Sequence, residues 1–437
     1  METLPANLFL VRRGEWMVRA WGLSFLLLVG VTWPLWQPDS DFLAVPLFSF
    51  GAAIPEWLQW GALGSAIAAA IFLCLAPAES MGRTGAIGAW SAAMLLLVAA
   101  DQQRGQAWVW HGWLMAGIVV GATSDGIIPA LRWLTAGIYF HSAISKLDAS
   151  FLYSLGRDFV FVPLDAIGAA RSDVPGWLLM AGALSFPIWE LIVATLIVMP
   201  DRWRSVRWMA LLGVVIMHAC LLAILGPFGL QHQQGVLLWN LFFLVQGVIL
   251  FTPLGELPGE SETSAEPAEE VDPARDAPFR LQSLFVYASL GLGIGLPFLA
   301  LGGLCDPWPA WELYAPRVAR ADLLIPRESV DKLPADLREI MLSQELADDV
   351  LLHRVPLDRW SLASRRAPLY PHPRVQLALA LELLERYELG SVMRVQLAGP
   401  ADRWTGKRSV EQFTSIEELR AATARYWLNA RAKPLHP

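Results

Sequence analysis

Residues 177–199 read WLLMAGALSFPIWELIVATLIVM, twenty-three residues whose one ionisable side chain is Glu190. A helix needs about 20 apolar residues to cross a hydrocarbon core about 30 Å thick, so this stretch has the length and chemistry of a membrane span. A carboxyl inside a span is expensive and needs a reason. Glu190 lies thirteen residues beyond Trp177, about 20 Å along a helix that rises 1.5 Å per residue.

Eight further stretches meet the same criterion. The nine expected spans run approximately over 20–36, 57–77, 85–100, 107–122, 127–146, 177–199, 207–225, 236–253 and 284–304. Tryptophan, 21 residues in all, gathers at their ends, as at Trp33, Trp36, Trp57, Trp60, Trp177 and Trp208. An indole favours the headgroup layer because it is apolar with one N–H to satisfy.

The composition agrees. The chain has 437 residues, 55% of them hydrophobic and 17% charged, whereas soluble domains carry roughly 25% charged residues. Of 33 Lys and Arg, 14 precede residue 305 and 19 follow it, so a lipid-embedded part is followed by a water-soluble one. The net charge of −7 supplies no basic face for phosphates and excludes nucleic acid as a partner. Cys74, Cys220 and Cys305 are too far apart for a CxxC redox pair; the first two read as small core residues. No A-x-A-like cleavage site follows the arginine-rich amino terminus, so the first span is expected to stay in place.

These observations define the expected fold: mainly α, a polytopic transmembrane bundle with a small α+β carboxy-terminal domain. Residues 1–253 form eight spans, 254–283 an acidic disordered cytoplasmic loop, 284–304 the ninth span, and 305–437 the α+β domain. In that domain ARADLLIP and VMRVQLAG read as strands, and PADLREIMLSQ, RVQLALALELLERY and SIEELRAATARYWLNARA as helices. Ser415 and Glu418 have the spacing of a capping box. With the amino terminus in the cytoplasm, ten arginines fall on inner segments and four basic residues, Lys146 among them, on outer ones. That bias predicts a cytoplasmic (inner) membrane protein of a bacterium with its carboxy-terminal domain outside.

Titratable groups inside spans are the candidate site. They are Lys146 and His141 at the outer half of the fifth span, Glu190 in the sixth and His218 in the seventh, with His111 in the fourth. Tyr139 and Ser142 precede Lys146 by seven and four residues and share its helix face, whereas His141 is turned from it by about 140°. A lysine that ends a span commonly snorkels to the interface. By depth, Glu190 and His218 are expected to meet near mid-membrane, and Lys146 to lie too far out to reach Glu190. The seven histidines show neither HExxH nor HxxxH spacing, and no metal site is expected.

Three stretches carry a family resemblance: DQQRGQAWVWHGWL (101–114), GIYFHSAISKLDASFLYSLG (137–156) and the run from Trp189 to Leu230. Together they resemble the horizontally transferred transmembrane (HTTM) domain of the vitamin K-dependent gamma-glutamyl carboxylases, over roughly residues 20–255. In that family a span ends in Lys-Leu-Asp, a later one holds a glutamate, and the next holds a histidine before a Gly-aromatic turn. Lys146-Leu147-Asp148, Glu190 and His218 follow this order. Ser145 and Phe151 stand where the carboxylases have a lysine and a tryptophan. A second resemblance is to DoxX- and MauE-type redox-associated membrane proteins, most of which have four spans.

The first resemblance implies a membrane enzyme that uses a reduced lipid quinone, with Lys146 as base and Glu190 and His218 beside it as catalytic residues. Tyr139, His141 and His111 would line the cofactor. Desolvation disfavours the charged form of an amine, which suits a lysine that takes a proton from a hydroquinone. The alternative is a non-enzymatic accessory or scaffold that presents its carboxy-terminal domain to an extracytoplasmic protein partner. A transporter is disfavoured because no paired, Gly/Pro-broken spans suggest an inverted repeat.

Overall fold

The computed structural model describes residues 6–39, 42–77, 80–200, 203–252, 282–343, 351–389 and 394–433. It is mainly helical with one small sheet. The acidic segment expected as a cytoplasmic loop lies almost wholly outside the described residues.

The first apolar stretch forms α1 (Ala6–Val31) and stops at Thr32. There the hydroxyl donates to Leu28 O at 2.6 Å, and Pro34 opens the four-residue α2 (Trp33–Trp36), because proline tolerates only a first helical turn. The expected single span 20–36 is thus two helices. Next come α3 (Glu56–Leu75), α4 (Gly82–Ala100), the fifteen-residue α5 (Ala107–Gly121) and α6 (Ile127–Lys146). Two short helices, α7 (Ala149–Tyr153) and α8 (Leu155–Ala166), lead to α9 (Gly176–Val198), α10 (Arg204–Leu225) and α11 (Gln234–Phe251).

Among the described residues seven helices are long and apolar enough to cross a membrane: Leu10–Val31, Glu56–Leu75, Gly82–Ala100, Gly176–Val198, Arg204–Leu225, Gln234–Phe251 and Ser283–Gly302. The other two expected spans correspond to α5, which is short, and α6. Protein covers most of α6, with α9, α5, α11 and the last apolar helix packed against it and a stripe with Trp133 and Phe140 left exposed. Sixteen of its residues are buried, Arg132 and Lys146 included. A helix shielded over most of its surface need present only a narrow apolar stripe to lipid. Cys220, read as a core residue, instead faces outward from α10.

The last apolar stretch is irregular. It begins as α12 (Ser283–Leu290), widens to one π turn at Gly291–Gly295 and tightens to a 3₁₀ segment at Leu296–Gly302, which starts before Pro297. A Cβ on Gly293 would lie 2.4 Å from Leu134 Cδ1, so glycine is what lets this turn approach α6. The widened turn leaves carbonyls for other donors. Gly293 O accepts from Trp311 Nε1 at 2.8 Å, and Ile294 O lies 2.8 Å from His141 Nε2.

The tail forms an antiparallel sheet of β1 (Arg320–Ile325), β2 (His353–Arg354), β3 (Arg394–Ala398) and β4 (Val410–Phe413), in the order β2-β1-β3-β4. In its central pair Ala321 faces Leu397 and Leu323 faces Val395. The helices are α13 (Ala335–Leu342), α14 (Leu357–Arg365), α15 (Pro373–Arg386) and α16 (Ile416–Thr423). The final helix is shorter than expected. After Thr423 the chain returns to the bundle, where Asn429 N donates to Leu47 O at 3.1 Å and Lys433 N to Ala44 O at 2.7 Å. At the start of α16, Ser415 Oγ accepts from Glu418 N, while Glu418 Oε2 accepts from Thr414 N at 2.8 Å. This is a capping box displaced by one residue.

Tail and bundle share a core. Phe42, Leu43, Val45 and Ala107 cluster with Trp308, Trp360, Leu381 and Leu384. The segment Asp101–Arg104, read as an outer loop, is buried beneath the tail. Gln102 Oε1 accepts from Arg374 Nε at 2.6 Å, and Gln102 Nε2 donates to Asn429 O at 2.7 Å. Gln103 bonds Ser361. Arg365 lies 3.4 Å from Asp101 and donates to Leu35 O and Phe42 O, each at 3.0 Å. The tail therefore covers the bundle end where α1, α4 and α6 finish and α5 and α11 begin.

Candidate functional site

Lys146, Leu147 and Asp148 divide three tasks. Leu147 leaves the helical conformation and ends α6. Asp148 caps α7, its Oδ1 accepting from Phe151 N at 2.9 Å. Lys146 turns inward and is 2% exposed, so it does not snorkel. Its Nζ lies 2.9 Å from both carboxylate oxygens of Glu190, which is 7% exposed. It also donates to Ser142 Oγ at 2.5 Å and Ser142 O at 3.2 Å. The expectation that Lys146 could not reach Glu190 is overturned, because α6 packs along α9 and the lysine stem extends back over its own last turn.

Glu190 consequently makes no pair with His218. Asn240 Nδ2 donates to Val236 O at 2.9 Å, so its Oδ1 is the atom that accepts from His218 Nδ1 at 3.3 Å. Nδ1 then carries the hydrogen, and Nε2 accepts from the Tyr139 hydroxyl at 2.8 Å. Tyr139, His218 and Asn240 form a directed chain on three helices. Lys146, Glu190, Tyr139, His218, Asn240 and Tyr314 line one cavity of about 40 Å³. A larger cavity of about 210 Å³ lies next to it, walled by Trp108, Trp308 and Val236 and sharing Trp239, Leu313 and Tyr314 with the first.

The remaining two expected residues are placed differently. His141 turns toward the widened turn at Ile294 and is not brought to either cavity. His111 is buried against Phe243, whose ring is stacked between His111 at 5.1 Å and His218 at 5.4 Å. It lines a third space of about 10 Å³, and its Nε2 has no hydrogen-bond partner among the described residues. His111 thus touches the site through an aromatic wall.

Sequence reading passed over Asn240 and Tyr314. Asn240 was findable by the rule that selected Glu190, since it is a lone amide in the apolar run VLLWNLFFLV. Tyr314 carried no such signal. It lies in DPWPAWELYAP, where Trp311 and Tyr314 adopt φ of 58° and 56°, a region that bulky residues rarely enter. Such conformations persist only where the surroundings fix them. Here the Trp311 indole, fully buried and bonded to Gly293 O, anchors the segment.

Beside the site, burial raises the Asp148 carboxyl above its ordinary value, opposed by the Phe151 N–H and by Arg317 and Arg403. Glu312 is raised likewise by burial, opposed by the same two arginines. Arg403 also donates to Ile144 O at 2.9 Å, so the tail holds the end of α6 that carries Lys146. No family model, curated protein or solved structure matches this chain.

Proposed function

We propose that this chain is a nine-span enzyme of a bacterial cytoplasmic membrane that takes a proton from the hydroxyl of an apolar, hydroquinone-like substrate at the Lys146–Glu190 pair. The amino terminus lies in the cytoplasm and the tail outside. The helix ends covered by the tail support a tail on the face opposite the amino terminus, since α1, α4 and α6 finish there and α5 and α11 begin there; the arginine bias of the connecting segments supports that face as the outer one. The order of Lys146, Glu190 and His218 supports kinship with the carboxylase-like membrane family.

One observation carries the reading: a buried ion pair lines a cavity that shares Trp239, Leu313 and Tyr314 with a larger aromatic one. A pair that only braced α6 against α9 has no use for a cavity beside it. Three hydrogens at most on Nζ meet four acceptors within 3.2 Å, so protonation belongs to the pair rather than to the lysine alone. Transfer of one proton from Nζ to Glu190 across 2.9 Å exposes a neutral amine. That amine takes the substrate's O–H proton and leaves an oxyanion beside a restored ammonium. Neutral His218 offers a second acceptor through Tyr139. A scaffold that merely presents its tail to a partner gives no account of this arrangement, in which the tail supplies cavity wall.

The test uses 4-methoxy-1-naphthol, whose anion has its own absorption band. Purified wild type should hold the bound probe as naphtholate near neutral pH. Lys146→Arg, whose guanidinium stays charged, should bind the probe and lose the band. An undiminished band in Lys146→Arg removes the lysine from the chemistry.

A further inference from the structure

The proton step uses only the smaller cavity, yet the larger one has uncommitted hydrogen-bonding capacity in its wall. The Tyr314 hydroxyl accepts from Asn240 Nδ2 at 3.4 Å, and its own hydrogen finds no acceptor among the described residues. Trp239, which walls all three cavities, has a buried indole N–H that likewise finds none. Buried donors without acceptors cost roughly 1–3 kcal/mol each. The buried Trp239 N–H and the half-buried Tyr314 hydroxyl, both on walls that the two cavities share, mark a place for an oxygen that the protein does not supply.

Shape narrows the occupant. The cavity is about 210 Å³; an apolar cavity of about 150 Å³ takes benzene, and pockets for drug-sized ligands start at roughly 300 Å³. Trp108, Trp239, Trp308 and Leu313 give it flat apolar walls. We infer that the larger cavity binds a one- or two-ring apolar molecule through an acceptor oxygen held by the Tyr314 hydroxyl, which makes Tyr314 the residue that positions substrate against the Lys146–Glu190 pair. This rests on the proposed function and assigns its specificity to a residue of the tail. Burial holds the Tyr314 phenol well above its ordinary value, with the Glu190 charge acting the same way and Asn240 opposing, so it stays a donor throughout the neutral range.

The experiment compares 2-methyl-1,4-naphthoquinone with 2-methylnaphthalene, which has the same ring skeleton and no oxygen, by equilibrium dialysis against the full chain in detergent. Wild type should prefer the quinone roughly tenfold beyond the preference of empty micelles, the size of one well-made hydrogen bond. Tyr314→Phe, which keeps ring and backbone, should bind both probes alike. Val236→Trp, which fills the cavity, should bind neither. A preference that survives Tyr314→Phe, or quinone binding unchanged in Val236→Trp, overturns the assignment. Quinone preference lost in Tyr314→Phe while Lys146→Arg keeps its naphtholate band sustains the cavity and defeats the proton-transfer reading. No binding to wild type defeats both.

Discussion

Removing one partner of the Lys146–Glu190 pair should destabilise the protein unequally, depending on which partner goes. In Lys146→Met the Glu190 carboxylate loses the hydrogen bonds to both of its oxygens, since each comes from Nζ. An uncompensated buried charge costs about 3–5 kcal/mol. In Glu190→Gln the ammonium keeps Ser142 Oγ, Ser142 O and the new amide oxygen. The loss is then one charge-assisted interaction, roughly 1.5–3 kcal/mol. Unfolding entropy of about 2.1 cal/mol/K per residue gives ~0.9 kcal/mol/K for 437 residues. The expected fall in Tm is therefore ~3–5 °C for Lys146→Met and ~2–3 °C for Glu190→Gln. The double variant Lys146→Met with Glu190→Leu puts apolar groups on both sides and should recover most of the loss, as replaced buried pairs commonly do. The assay is the fraction of detergent-solubilised protein that stays monodisperse on size exclusion after heating. If Glu190→Gln falls as far as Lys146→Met, or the double variant is no better than Lys146→Met, the pair is not held as described.

Three further outcomes follow from the tail. Arg365→Ala removes a guanidinium that is 2% exposed and bonded to Leu35 O and Phe42 O; the loss should approach ~3–5 kcal/mol, and limited proteolysis should release tail fragments that wild type withholds. His372 is lowered to about 4, by burial first and then by Arg374, with Asp306 opposing, and its Nδ1 accepts from Arg374 N at 3.2 Å to cap α15. A histidine lowered on folding contributes stability that is full above its unfolded value of about 6.5 and is lost as pH falls toward 4. Up to about 3 kcal/mol should disappear over that window, and His372→Asn, which can still cap, should flatten the dependence measured by thermal unfolding. Chains cut after residue 304 should accumulate poorly in membranes on quantitative immunoblotting, because the cut exposes Gln102, Gln103 and Arg104, now buried.

Much of the membrane part was legible because lipid imposes one requirement, length and apolarity, that a single sequence displays. The boundaries that moved did so for local reasons, at Thr32 with Pro34 and at the glycine-rich turn 291–295. α6 was found by its apolar run, although the protein packed around most of it leaves only a stripe with Trp133 and Phe140 exposed and spares it the need for a fully apolar surface. The site was half legible. Titratable groups in spans led to Lys146, Glu190 and His218, since burying such groups is costly wherever they lie. Which of them meet was not legible, because pairing depends on the rotation of α6 against α9 and of α10 against α11. No residue-by-residue property reports that rotation. His141 illustrates the limit: its 140° offset was correctly read, but its partner is a backbone carbonyl freed by an irregular helix a hundred and fifty residues away.

The tail explains why a lysine at the end of a helix can be buried at all. Left open, the end of α6 would hydrate, and an ion pair there would be worth a few tenths of a kcal/mol. Leu313 and Tyr314 line the Lys146 cavity from the tail side, while Arg403 grips Ile144 O and accepts from Ala149 N at 2.8 Å. A segment more than 160 residues downstream thereby turns a boundary charge into a buried one. The same segment carries the strained Tyr314. Exclusion of water and placement of substrate are therefore coupled through one short stretch, Asp306–Pro316. A change that loosens Trp311 from Gly293 O should hydrate the pair and misplace the tyrosine together.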